Sequence, residues 1–157
     1  MDQAQLKDKP SLVLHRKFPV APEKVWRAWT DPQALKRWFG PAGEQEPVSV
    51  ADIDLRVGGR WRFVNRHPKG EAAFHGEYRE ITPYSRLVFT EIFEEFPDTV
   101  SVVTSEFVEE GGKTRFTAKV RYPSLEVRDM VIASGMARGA GISYDRLEDV
   151  VAELQRT

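Results

Sequence analysis

The sequence predicts an α+β fold in two layers: a mostly antiparallel sheet of six strands, seven with an opening one, covered on one face by a long C-terminal helix. Three observations carry this. In Ser134 to Leu154 the apolar positions Met136, Ala140, Ser143/Tyr144, Leu147, Val150/Val151 and Leu154 make one stripe at 3.6-residue spacing. From Val48 to Tyr122 the pattern changes to period two, with turn signals at regular intervals. Pairing those strands through their turns collects rings on one face and charges on the other. A sheet with one apolar face and one amphipathic helix must cover each other.

Composition narrows the function classes. A chain of 157 residues reads as one domain over residues 11–157, preceded by a tail at residues 1–10. With 23 basic and 24 acidic residues the net charge is −1, so no strong field favours nucleic acid or an anionic membrane. The chain has no cysteine, which removes disulfides, thiolate metal sites and thiol catalysis together. No apolar run approaches the ~20 residues of a membrane span, and the polar N-terminus does not read as a signal peptide. A cytoplasmic location is the expectation.

Taken in order, Ser11–Phe18 alternates as an opening strand. Pro22 stands at a helix start, and Val25, Trp26 and Trp29 share one face of the helix that follows. Asp31-Pro32 supplies cap and first residue of a second short helix through Trp38, which Gly40-Pro41 ends. At Arg56–Trp61 a three-residue turn, Val57-Gly58-Gly59, would set Ile53 opposite Phe63 and Leu55 opposite Trp61, with Gly59 in the left-handed region. The His67–Gly70 loop pairs Phe63 with Phe74, Trp61 with Gly76 and Arg60 with Glu77. The Thr82–Ser85 turn pairs Tyr78 with Phe89 and Glu80 with Leu87. Glu110–Gly112 pairs Phe107 with Phe116, Ser105 with Ala118 and Val103 with Val120. The inner face then carries Trp61, Phe63, Phe74, Tyr78, Phe89, Phe93, Phe107 and Phe116, interspersed with Ala72, Gly76, Ser105 and Ala118. Ser124 opens a further helix whose apolar side is Val127, Met130 and Val131, and Gly135 breaks it before the last helix. That last helix is almost bare of side chains in its first half, at Gly139, Ala140 and Gly141. Each mid-helix glycine costs roughly 1 kcal/mol against alanine, so the thinning implies either close backbone packing or space for a guest.

Several stretches resemble a known family. Residues 21–41 (APEKVWRAWTDPQALKRWFGP), DLRVGGRWRF, HGEYREITPYSRLVFTEIF, VEEGGKTRFTAKV and SGMARG…SYDRLEDVV are similar to signatures of the activator of heat-shock-protein-90 ATPase homologues, within the START-like (SRPBCC) superfamily. The similarity runs from about Leu12 to Leu154. It implies a helix-grip fold, a curved sheet wrapped around the C-terminal helix with two small helices closing one end, and a cavity that usually takes an apolar ligand. Ala140 stands where many relatives have tryptophan, which implies a wider cavity. The eukaryotic activator also has a separate N-terminal chaperone-binding domain that ten tail residues do not replace.

The expected function is therefore binding of a small hydrophobic or aromatic ligand, an apolar molecule or lipid, without a cofactor. Its lining would be Trp61, Phe63, Phe74, Tyr78, Phe89 and Phe116 on the sheet and Met136, Ala140 and Tyr144 on the helix. Two alternatives rest on the resemblance: an enzyme of cyclase or hydrolase type, and a co-chaperone-like regulator with a chaperone or a second copy as partner. For catalysis only Glu91 is a candidate, directed inward opposite Gly76 by the register. The favoured reading is that its strand frays or bulges after Phe89 and leaves it at the rim, with Glu80 solvated near the strand end. His15, His67 and His75 lack the spacing of a metal site. Asp52, Asp54, Arg60, Arg62 and Glu77 read as cross-strand surface pairs, and Lys113, Arg115, Lys119 and Arg121 as a solvated strand face. Met130 and Met136 are divided between core and cavity lining.

Overall fold

The computed structural model describes residues 10–39, 48–67, 70–134 and 136–156, with side chains described apart from residues 48–50, 66–67, 70–71, 134, 136–142 and 155–156. The elements in chain order are β1 (Ser11–Phe18), α1 (Pro22–Thr30), α2 (Pro32–Leu35), β2 (Val48–Ile53), β3 (Arg60–His67), β4 (Gly70–Thr82), β5 (Arg86–Phe93), β6 (Val100–Glu110), β7 (Lys113–Arg121), α3 (Leu125–Ser134) and α4 (Met136–Arg156). The strands form one seven-stranded antiparallel sheet in the order β1-β7-β6-β5-β4-β3-β2. Strands β2 to β7 are a meander, and β1 closes onto β7, the last of them. The helix-grip arrangement expected from the sequence is the one observed.

Helix α1 begins at Pro22, whose missing N–H costs nothing in a first turn. It buries Val25, Trp26, Ala28 and Trp29. Asp31 then serves both helices. Its backbone N–H donates to Arg27 O, and its carboxylate accepts from Gln33 N–H at 2.9 Å as the cap of α2. The bracket is locked from inside by Trp38, whose indole N–H donates to the Ala28 carbonyl at 2.9 Å.

Most of the register follows the turn arithmetic. Phe63 lies opposite Phe74, Trp61 opposite Gly76, Tyr78 opposite Phe89, Phe107 opposite Phe116 and Ser105 opposite Ala118. Two turns differ. At the β2–β3 connection Ile53 faces Trp61 and Ala51 faces Phe63, and Asp54 N–H still reaches Arg60 O, so residues 55–59 form the loop. A shift of two residues leaves every side chain on its expected face, which is why segregation of apolar from charged positions could not detect it. Gly58, not Gly59, has the positive φ, at 85°. Gly59 is required for another reason: a Cβ there would lie 2.1 Å from Asp54 O, while its carbonyl already accepts from Tyr78 N–H.

The second difference is a bulge in β4 between Tyr78 and Glu80, after which Glu80 faces Val88 and Ile81 faces Leu87. The extra residue rotates Glu80 to the outer face, where it pairs with Arg86, and brings Ile81 against the core instead. In α3, Met130 is exposed, contrary to the expected apolar side, and the buried position is Arg128, whose guanidinium bonds Asp129. The His67 side chain lies outside the described residues.

Helix α4 crosses the inner face with Tyr144, Leu147, Val150 and Val151 buried beneath it. Charge also fixes its position. Arg16 shares the inward parity of Leu14 and Phe18 on β1, and its guanidinium pairs with Asp145 and, at 3.4 Å, with Glu148. Arg37, just beyond α2, pairs with Glu153 near the other end.

Candidate functional site

The inner face of the sheet has two unlike ends. At the end closed by α1 and α2, Phe116 is fully buried and ringed by Trp29 at 5.4 Å, Phe107 at 5.3 Å, Tyr144 at 5.6 Å and Phe18 at 6.0 Å. Trp38 stacks edge-on against Trp29 at 4.5 Å. Thr114 completes the seal by donating its hydroxyl to Val20 O at 2.7 Å. At the other end Leu14, Val120, Tyr122, Glu91, Phe93 and Phe74 all point inward and all keep partly accessible surface. Strand alternation cannot produce this difference, since both groups share one face. The bracket fills one end with four rings around Phe116, whereas at the other end Phe39 meets Phe63 at 5.0 Å and Phe74 at 5.9 Å, and Phe96 meets Phe93 at 5.8 Å, without closing them off from solvent.

The expected lining residues divide accordingly. Trp61, Phe63, Tyr78 and Phe89 come together as one buried group, with Trp61 at 4.6 Å from Phe63 and 5.6 Å from Phe89, and Tyr78 at 6.3 Å from Phe89. Phe74 extends it toward the open end through Phe93 at 5.0 Å. Phe116 belongs instead to the sealed end, and Tyr144 reaches it from α4. Met136 and Ala140 fall in α4, with side chains outside the described residues.

Into the open end runs a row of residues at one level of the sheet. Ile53 faces Trp61, Trp61 faces Gly76, Glu91 faces Ser101, and the same registers set Gly76 beside Glu91 and Ser101 beside Tyr122. Gly76 has a structural cause. A Cβ on it would lie 1.8 Å from the Thr90 carbonyl oxygen. That oxygen leans over the glycine and accepts from the Trp61 indole N–H at 3.2 Å, while the Thr90 hydroxyl accepts from Glu77 N–H at 2.9 Å. The strands stay joined through Thr90, and the Trp61 indole covers the glycine, its Nε1 2.7 Å from where a Cβ would stand.

Glu91 is thus not at a frayed rim. The irregularity expected after Phe89 lies in β4 instead, and β5 continues in register with β6 through Ile92. Burial of the carboxyl pushes its pKa up to about 7. Burial, then the charge of Glu91, raises the phenols of Tyr122 and Tyr144, with Arg16 opposing the shift at Tyr144. The two hydroxyls therefore remain protonated donors throughout the physiological range, beside a carboxyl that changes charge near neutrality. Tyr78 is raised as well, by burial and by Asp54.

This arrangement has a measurable consequence for stability. The folded pKa of Glu91 lies above its unfolded value, so the folded chain holds the proton more tightly. The contribution is fully present below about pH 4.5, fades as pH rises through about 7, and leaves a buried charge above that. Glu91→Gln should then be near neutral at pH 4 and stabilise the protein by about 3 kcal/mol at pH 8. Urea denaturation of both proteins across that range checks it. A difference independent of pH would place the carboxyl in solvent.

Sequence reasoning missed Ser101 and Tyr122. Tyr122 was accessible by parity, two positions beyond Val120. Ser101 was too, two positions before Val103 on the strand counted from the Glu110–Gly112 turn. The charged cluster of the outer face is real but superficial. Glu94 accepts from Arg62 Nε at 2.9 Å and Nη2 at 3.1 Å and meets His75 Nδ1 at 2.9 Å, which hold its carboxyl below the usual range. Asp54 pairs with Arg56. Arg115, on the basic strand, pairs with Glu110 at 3.6 Å. Among the described residues no group of His, Asp and Glu has the geometry to hold a metal, and no helix is long and apolar enough to cross a membrane.

Many solved structures share this shape, and three of them are representative. A protein from Rhodobacter sphaeroides superposes with a TM-score of 0.83 at 28% identity, covering 92% of this chain and 94% of that one. A protein from Nitrosomonas europaea gives 0.81 at 27%, covering 94% and 97%. Protein Ms6760 from Mycobacterium smegmatis gives 0.81 at 29%, covering 91% of each. No curated protein matches the chain significantly. The family model described as activator of Hsp90 ATPase homolog 1-like protein matches residues 19–152, which span both helices of the bracket, six strands of the sheet and nearly all of α4, and the chain belongs to that family.

Proposed function

We propose that the protein binds a small hydrophobic or aromatic molecule, or the apolar part of a lipid, between the open end of the sheet and the first half of α4. The observation that carries this reading is the contrast between the two ends of one inner face. Phe116 is sealed on four sides by rings, whereas Phe74, Phe93, Val120 and Leu14, equally apolar and equally inward, remain partly accessible. Apolar side chains that their neighbours leave partly accessible on an inward face offer the wall of a binding site, since packed interiors leave few voids. The thin segment Gly139-Ala140-Gly141 of α4 lies in the half of the helix beyond Tyr144. Membership of the family adds weight, because its fold commonly encloses ligands.

The test is titration with a panel of fatty acids, aromatic hydrocarbons and arylalkyl alcohols, followed by tryptophan fluorescence. Trp61 stands beside Phe63, which faces Phe74, and should report occupancy, with saturable quenching or enhancement for at least one class. Phe74→Leu, which thins the wall without entering the sealed core, should weaken that ligand several-fold. No saturable response across the panel would remove the proposal.

A further inference from the structure

We infer that the guest is recognised through an aromatic ring, and that aromatic compounds rather than saturated chains are the ligand class of the open end. The inference rests on the binding site proposed above and names the chemistry of its ligand. Its basis is the way the rings meet there. Phe39, Phe74, Phe93 and Phe96 form one file, with successive centroids 5.9, 5.0 and 5.8 Å apart. The angles between their planes are 79°, 75° and 56°, so neighbouring rings stand across one another and none lies flat on the next. The sealed end differs, for there Trp29 lies nearly flat on Phe116, at 21°. Accessibility falls along the file, from Phe96, which is 53% exposed, through the partly accessible Phe93, Phe74 and Phe39. Beyond Phe39 it ends on the buried Phe63.

An aromatic ring has a negative face and a positive edge, and pairs attract when an edge meets a face or when two rings lie offset. Each crossed contact spends the edge of one ring on the face of its neighbour. What remains accessible on Phe74, Phe93 and Phe96 is therefore a surface with its own charge pattern, not a featureless apolar wall. An aromatic guest complements it whichever part is bare, since its edge suits a face and its face suits an edge. A saturated chain or ring lacks that quadrupole and gains only from the area it covers. Area by itself would favour the saturated ring, which is the larger and more hydrophobic of two compounds with one carbon skeleton. The two sources of affinity thus predict opposite orders.

The experiment compares 4-phenylbutanol with 4-cyclohexylbutanol, titrated into the protein and followed by tryptophan fluorescence. The two share a tail and a hydroxyl and differ in whether the ring is aromatic. The phenyl compound should bind at least about fivefold tighter, because attraction between rings outweighs the area advantage of the cyclohexyl compound. In Phe93→Leu that ratio should shrink to within about twofold, since leucine keeps an apolar wall and removes a central ring of the file. The ratio cancels a general loosening of the wall, and an unchanged urea slope shows that the variant is folded. Equal binding of the two compounds, or tighter binding of the cyclohexyl one, would overturn the aromatic assignment and leave the apolar site standing. A ratio that survives Phe93→Leu in full would place its source outside the file and overturn the assignment too. Failure of both compounds to bind the unaltered protein would overturn the site and this assignment with it.

Discussion

Phe116→Ala should destabilise the protein by about 3–5 kcal/mol, the range for removing a large ring from a core that cannot collapse. Phe116 has no accessible surface and meets Trp29, Phe107, Tyr144 and Phe18 on its sides. Those neighbours belong to β1, α1, β6 and α4, so relaxation around the lost ring would require four elements to move together. Phe74→Ala on the same sheet face should cost less than half as much. Its ring is already partly accessible, so less area returns to water and no closed cavity is left. Urea midpoints at unchanged slope measure both. Similar losses at the two positions would mean that the ends are equally packed, which removes the support for a ligand site at the Phe74 end.

Gly76→Ala should destabilise by roughly 3 kcal/mol or more, an unusually large effect for one methyl group. The added Cβ would stand 1.8 Å from the Thr90 carbonyl oxygen and 2.7 Å from Trp61 Nε1. The first of these is backbone and cannot rotate away, so either β5 withdraws from β4 or the Trp61–Thr90 hydrogen bond breaks. Both outcomes move Glu91. Thermal unfolding with near-ultraviolet circular dichroism of the Trp61 environment would show the change, and unaltered spectra with a loss under 1 kcal/mol would mean that the strand pair is not closed at Thr90. Gly59, whose Cβ would meet Asp54 O at 2.1 Å, marks a similar backbone approach just before β3.

Particular residues show how far the sequence could be read. Wherever a short loop joins two strands, counting outward from it recovered the pairing, because opposite residues must share a face. Phe63 with Phe74, Tyr78 with Phe89 and Phe107 with Phe116 are cases. The method fails for changes that preserve parity, as in the longer β2–β3 loop. It also fails for changes that reverse parity without a sequence mark, as at the bulge beside Arg79. In α3 the periodicity is ambiguous, and Arg128 rather than Met130 is the buried residue, since a long stem can be covered while its head finds Asp129.

The sequence by itself determined the element order, the meander from β2 to β7, the terminal helix and the aromatic identity of the inner face, because those follow from local periodicity and turn chemistry. Tertiary structure decided which rings are sealed in and which stay partly accessible, and that Glu91 points inward opposite Ser101 rather than fraying at a rim. The reason is physical. Alternation along a strand assigns a side chain to a face, but its burial and its charge depend on what other elements bring to the same level of the sheet, and residues far apart in the chain meet there only once it has folded.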